Sequence, residues 1–128
     1  MITEFLRHHS ELKAHSGKEK ADGIVNAASH MEDHYTEDVT MKDLLSLSHY
    51  SQRHFIRLFS EAYGVTPHRY LLLLRIKHAC DLLKETSLSM AEISSRCGFN
   101  DPNYFARIFK KYVSVSPNSY RNNKPELC

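Results

Sequence analysis

The sequence lacks any apolar run that approaches the length of a membrane-spanning helix, because the longest is the four-leucine stretch 71–74. The N-terminus also lacks the basic segment and the apolar segment of about 7–15 residues that make a secretory signal. The three cysteines are an odd number without C-x-x-C spacing, which argues for reduced thiols rather than a disulfide framework. These absences disfavour membrane and secreted classes, and they predict a cytoplasmic protein.

Motifs that carry catalysis are missing as well. There is no G-x-S-x-G, no glycine-rich phosphate loop with a lysine, and no Cys–His arrangement suggested by spacing. His30 and His34 stand four residues apart, but "HMEDH" is neither H-E-x-x-H nor H-x-x-E-H, and no third ligand follows at recognisable spacing. We therefore expect neither an enzyme nor a cofactor nor a metal site.

What is present is the composition of a soluble globular protein, with 41% hydrophobic and 25% charged residues in a chain of 128. That length suffices for one compact domain, or for two very small units that share a helix. The charge is uneven: residues 1–40 hold 4 basic and 8 acidic residues, whereas residues 41–128 hold 13 and 7. The basic surplus therefore lies in residues 41–128, and this positive charge favours contact of that part of the chain with a polyanion.

Helical periodicity and helix-start signals run along the chain, and strand alternation is absent. Thr40, Ser51 and Ser89 are candidate N-caps, and Asn100 or Asp101 is a fourth. We predict an all-α chain with helices over about residues 22–35, 41–47, 51–63, 67–85, 89–96, 101–112 and 117–122.

The chain also contains an internal repeat at an offset of about fifty residues. "HYSQRHFIRLFSEAY" at 49–63 returns as "GFNDPNYFARIFKKY" at 98–112, so Arg57 matches Arg107. Each copy reads as a short helix, a tight turn, a second helix with a polar face, and an exit that begins at proline. That pattern is a helix-turn-helix. Duplication for core building alone would not require an arginine at the equivalent outward position of both copies.

The repeat divides the chain into four parts. These are an N-terminal tail or interdomain linker (1–21), a first helix-turn-helix subdomain (22–66), a long linker helix (67–85), and a second helix-turn-helix subdomain with a C-terminal tail (86–128). At about 1.5 Å per residue the linker helix is about 28 Å long. Major-groove sites one turn apart are about 34 Å apart, so one chain could place its two second helices in successive grooves.

These segments resemble the C-terminal DNA-binding domain of AraC/XylS-type transcriptional regulators over about residues 23–122. The most specific part is "SMAEISSRCGFNDPNYFARIFKKYVSVSPNSYR" at 89–121, and "LLSLSHYSQRHFIRLFSEAYGVTPHRYL" at 44–71 matches too. The first copy has His49 where the family commonly has glycine. Histidine tolerates a left-handed backbone better than most non-glycine residues, so we expect an intact turn there at slight cost.

The resemblance implies a sequence-specific regulator that binds double-stranded promoter DNA, with recognition helices at about 51–63 and 101–112. It further implies contact with RNA polymerase, association with the nucleoid when bound, and an effector or dimerisation domain outside this chain. The alternative is a helical protein–protein interaction module that uses the acidic residues 32–43 or a leucine-rich patch.

The resemblance carries base reading onto one set of three residues in each recognition helix: Arg53, Ile56 and Arg57, and Asn103, Tyr104 and Arg107. Arginine can pair with guanine, asparagine with adenine, and isoleucine with a thymine methyl group. Tyr104 is large for base reading, so sugar or phosphate contact is its alternative. Our phosphate candidates are Ser51, Gln52, Lys110, Lys111, Arg121 and Lys124. Arg69, Arg75 and Lys77 are candidates for ion pairs with acids instead.

Overall fold

The computed structural model describes residues 19–123. Seven helices follow one another: α1 (Glu19–His34), α2 (Met41–Leu45), α3 (Gln52–Tyr63), α4 (Pro67–Glu85), α5 (Met90–Arg96), α6 (Pro102–Val113) and α7 (Pro117–Asn123). No strand occurs within this range, so the all-α, seven-helix prediction is confirmed. Helix α1 begins three residues earlier than predicted, and the rest of the predicted tail, residues 1–18, lies outside the described part.

Side-chain caps fix where the helices begin. Ser51 Oγ accepts a hydrogen bond from the backbone N–H of His54, and Ser89 Oγ accepts one from Glu92. Thr40 and Asp43 bond reciprocally as a capping box, and these bonds hold the pKa of the Asp43 carboxyl below its usual value. The caps expected at these positions are confirmed, and Asp101 rather than Asn100 caps α6.

Two hydrophobic cores lie along one helix, α4. The first is lined by Ile24, Ala27, Ala28, Met31, Leu44, Phe55, Phe59, Tyr63, Tyr70 and Leu71. The second is lined by Leu72, Ile76, Ala79, Cys80, Leu83, Ile93, Cys97, Phe99, Phe105, Phe109 and Tyr120. Helix α4 supplies residues to both, and it contacts α1 and α3 on one side and α5, α6 and α7 on the other. We call α1–α3 the first unit and α5–α7 the second unit.

The repeat seen in the sequence is repeated in the packing. In the first core the ring of Phe59 meets the ring of Tyr70 edge-on at 5.3 Å, and in the second core Phe109 meets Tyr120 edge-on at 5.6 Å. Both pairs are related by the offset of fifty residues. Buried aromatic pairs of this kind contribute strongly to small cores, so each unit is held by an equivalent contact.

The two cysteines in the described part of the chain differ. Cys97 has a free thiol, and burial raises its pKa to about 12, so the thiol is protonated and unreactive at neutral pH. Cys80 is disulfide-bonded, and the expectation of reduced thiols is therefore wrong for this residue. Within residues 19–123, no helix combines the length and the apolar character needed to span a membrane.

The left-handed backbone positions differ from expectation. His49 does not adopt a positive φ, so the slight cost expected from a left-handed histidine does not arise in the first turn. Among the described residues with a side chain, only Ser114 has a positive φ, at 77°. Ser114 ends α6 in the same way as Gly64, which has a φ of 78°, ends α3. Each of the two residues donates its backbone N–H to the carbonyl oxygen of the residue four positions earlier. Serine thus holds a conformation that glycine adopts without strain.

Replacing Ser114 by glycine should stabilise the chain by about 0.5–1 kcal/mol, because relief of left-handed strain exceeds the entropy that glycine adds to the unfolded state. Urea unfolding followed by circular dichroism measures this change in free energy. The matched control is Gly64→Ser, which should destabilise the chain by a similar amount. A Cβ at Gly64 would meet no atom within 4 Å, so the left-handed backbone conformation would be the source of the cost. A destabilised Ser114→Gly variant would contradict the assignment of strain.

Candidate nucleic-acid interface

The outward face of α3 presents most of the residues that were assigned to it. Arg53 and Arg57 are exposed, as are Gln52 and the capping residue Ser51. Ile56 is half-buried and packs against the first core, so only part of its side chain is available to a ligand. Helix α3 therefore offers two arginines, with one apolar side chain at the edge of its exposed face.

Helix α6 presents the equivalent face with different chemistry. Asn103, Arg107, Lys110 and Lys111 are all exposed. Tyr104 is half-buried against the second core, with its ring 6.1 Å from that of Phe99. The guanidinium carbon of Arg107 lies 5.7 Å from the centroid of the Tyr104 ring, within cation–π range. The half-buried Tyr104 ring thus supports the exposed Arg107 side chain through a cation–π contact.

The two equivalent arginines have unlike neighbours one turn further on. Arg57 Nη1 lies 3.9 Å from Glu61 Oε1, and both side chains are largely exposed. The position equivalent to Glu61 is Lys111, and α6 contains no acidic residue. An exposed pair of this kind contributes little to stability, but the carboxylate competes with any anionic ligand for Arg57. Helix α6 is therefore the more positive of the two.

The remaining basic residues have varied surroundings. Arg121 is half-buried, and its Nε and Nη2 donate to the carbonyl oxygens of Leu83 and Thr86, both at 3.3 Å, which ties α7 to the end of α4. Its role in phosphate binding stays a prediction, and Lys124 lies outside the described residues. Lys77 pairs with Asp81 at 2.7 Å, as expected.

Within residues 19–123, the hydrogen bonds of Arg69 and Arg75 go to a tyrosine hydroxyl and to backbone carbonyls, so the expected ion pairs with acids are not found there. Arg69 Nε donates to Tyr112 Oη at 3.2 Å, so the start of α4 contacts the end of α6. Arg75 donates to two backbone carbonyls. Sequence reasoning missed these contacts and also the support of Arg107 by Tyr104, although the spacing of three residues along a helix would have indicated that contact.

The histidine pair on α1 has no metal-binding geometry around it. The rings of His30 and His34 lie 4.5 Å apart, and Nδ1 of His34 is 2.8 Å from a carboxylate oxygen of Glu37. Within residues 19–123, no three potential ligands from His, Cys, Asp and Glu are grouped so that they could hold a metal ion.

Comparison with known proteins gives matches over most of the chain. A family model described as a helix-turn-helix domain matches residues 44–123. The chain is 35% identical over 109 residues to the HTH-type transcriptional activator RhaS of Enterobacter sp. (strain 638), covering 84% of this chain and 39% of that protein. It spans about a third to two fifths of the length of the first curated relatives that it matches.

Two solved structures match over nearly their whole length. One is the DNA-binding domain of AdpA, a global transcriptional factor, in complex with a target DNA: the TM-score is 0.74 at 27% identity, over 80% of this chain and 92% of that one. Another is a transcriptional regulator with an AraC-type DNA-binding domain from Chromobacterium violaceum, with a TM-score of 0.73 at 28% identity, over 83% and 95%.

Replacing Tyr104 by leucine should increase the fast motion of the Arg107 side chain, because leucine keeps the apolar contact with the core but removes the aromatic face. Nitrogen-15 relaxation of the Arg107 Nε–H group measures this motion. Tyr104→Phe, which keeps the ring, should leave it unchanged, and Arg57 serves as the internal reference. Equal Arg107 order in the leucine and wild-type chains would show that the ring does not orient the guanidinium.

Proposed function

We propose that this chain, which belongs to the AraC/XylS-type family of helix-turn-helix transcriptional regulators, binds promoter DNA sequence-specifically through α3 and α6. One observation carries the proposal: Arg57 and Arg107 occupy equivalent positions on the two helices, and both side chains are exposed. The likeness to a DNA-binding domain in complex with its target supports the same reading.

The dimensions of α4 support binding to two successive major grooves. The helix has 19 residues, which corresponds to a length of about 28 Å. Helices α3 and α6 both pack against it. Because groove sites one turn apart on one face of DNA are separated by about 34 Å, two recognition helices carried by this one helix match the required scale.

The residue roles follow from exposure and chemistry. Arg53, Arg57 and Arg107 would donate to guanine, Asn103 to an adenine edge, and the exposed part of Ile56 would contact a thymine methyl group. Tyr104 would act through Arg107. The phosphate contacts would come from Ser51, Gln52, Lys110 and Lys111. All of these roles are contacts with DNA, and none of them requires a catalytic residue.

The wider context is proposed on the family alone. The relatives are longer, so an effector or dimerisation domain would complete the regulator, and RNA polymerase would be the protein partner. We place the protein in the cytoplasm, on the nucleoid when bound. Selection of sites from a random duplex library tests the function: we expect a site with two half-sites one helical turn apart. Absence of any enrichment at low salt would favour the helical protein-interaction module instead.

Replacing Arg107 by alanine should weaken the selected site by about 1–3 kcal/mol and relax the preference at one base position, because a bidentate contact to guanine is lost. Titrations on the selected site and on a scrambled duplex measure this difference. Arg96→Ala is the matched control, since Arg96 is an exposed arginine of α5 that pairs with Glu92 at 3.4 Å. Equal loss on both duplexes would show that Arg107 contacts only the backbone.

Replacing Lys111 by glutamine should weaken binding to every duplex alike, because a phosphate contact carries no sequence information. The slope of log K against log salt should fall by about 1, as one counterion fewer is released. Binding measured at several salt concentrations gives the slope. Lys84→Gln, at the end of α4, removes the same charge and should leave the slope unchanged. An unaltered slope for Lys111→Gln would reject the phosphate role.

A further inference from the structure

The two units also meet directly, beside α4, at a contact that we call the junction. It consists of Arg75 in the middle of α4, residues 35–37 that follow α1, and the turn formed by Gly98 and Phe99 in the second unit. Arg75 Nε donates to the carbonyl oxygen of Tyr35 at 2.7 Å, and Nη2 donates to that of Glu37 at 2.9 Å. The guanidinium carbon lies 5.9 Å from the centroid of the Phe99 ring. One side chain therefore contacts both units.

The chemistry of the junction requires arginine. Two backbone carbonyls accept from two nitrogens of one planar fork, and a lysine ammonium cannot reproduce that geometry. Arg75 is half-buried, and these bonds satisfy donors that would be costly to leave unpaired. The hydrogen bonds therefore hold residues 35–37 at one position along α4.

Gly98 shows how closely the units approach. A Cβ at this position would lie 2.7 Å from the carbonyl oxygen of Tyr35, 2.9 Å from Arg75 Nε and 3.1 Å from Thr36 Cα. The backbone of Gly98 also has a φ of 94°, which glycine adopts freely. The equivalent residue in the first unit, His49, is exposed and has no positive φ, so the two turns serve different purposes.

We propose that Arg75 is a positioning residue that fixes the angle between the two units, and thereby the separation of the two half-sites that the chain accepts. The inference rests on the proposed function for its DNA part. A shared helix alone lets each unit tilt with small changes in its packing on α4. The junction links residues 35–37 of the first unit to the Gly98–Phe99 turn of the second unit through Arg75, and it therefore opposes such tilting directly.

The first test measures the angle without DNA. Residual dipolar couplings of backbone amides in wild-type chain should fit one alignment tensor for α3 and α6 together. For Arg75→Lys, which keeps the charge but not the fork, each unit should fit well alone while the common fit fails. Lys77→Gln is the matched control, because Lys77 is on the same helix and pairs with Asp81 within that helix. A common tensor in Arg75→Lys overturns the inference.

The second test measures half-site spacing on the site that wild-type chain selects, with one or two base pairs inserted or deleted between the half-sites. Wild-type chain should bind the altered spacings at least about tenfold more weakly, because both units can no longer engage together. Arg75→Lys should bind the original site about tenfold more weakly and discriminate far less among spacings. Lys77→Gln should behave as wild type.

The outcomes separate the two proposals. If wild-type chain selects no site, the proposed function fails and the half-site part of the inference fails with it, while the dipolar couplings still decide whether Arg75 fixes the angle. If wild-type chain selects a site and Arg75→Lys keeps the same spacing preference, the inference fails and the function stands. If Arg75→Lys no longer unfolds cooperatively, Gly98→Ala replaces it as the test variant, because an added Cβ there perturbs the junction from the side of the second unit. A common tensor and an unchanged spacing preference in Gly98→Ala would overturn the inference.

Discussion

Both hydrophobic cores depend on a single helix. Tyr70 and Leu71 of α4 belong to the first core, against which Leu74 also packs. The same helix supplies Leu72, Ile76, Ala79, Cys80 and Leu83 to the second core. Neither set of three short helices encloses enough apolar surface to be stable without such support, because very small units bury too small a fraction of their chain. The faces of α4 therefore determine where the two recognition helices are held, and the junction at Arg75 adds a second constraint on the same arrangement.

Local signals in the sequence were enough to predict the helices and the repeat. Caps such as Ser51 and Ser89 act within three residues, and the spacing of Phe55 and Phe59 reports one buried face. Exposure was equally readable for most of the predicted binding residues, but Ile56, Tyr104 and Arg121 are half-buried, and the roles of all of them stay predictions. The contacts of Arg75 were not readable, because its two carbonyl partners lie 40 and 38 residues away in the chain and have no sequence signature. The strain at Ser114 was hidden for a related reason: a serine there looks like any surface residue.

The two copies have diverged in the charge that follows the shared arginine. Glu61 accompanies Arg57, whereas Lys111 stands at the equivalent position after Arg107. Under the proposed function, long-range attraction to a polyanion acts mainly on α6, since attraction follows the local sum of charge. Helix α3 would then depend more on the fit between its side chains and the bases, and less on charge. The two units are alike in fold and unlike in how they would contribute to affinity.

The close approach at Gly98 limits how far these units are interchangeable. A second unit transferred into another chain through the linker helix would keep its own core, because that core is assembled on α4. It would also need a host whose segment after the first helix presents a carbonyl oxygen where that of Tyr35 lies, so that it accepts the hydrogen bond donated by Arg75 of the linker helix. Without that match, a chimaera would contain two well-folded halves in the wrong mutual orientation.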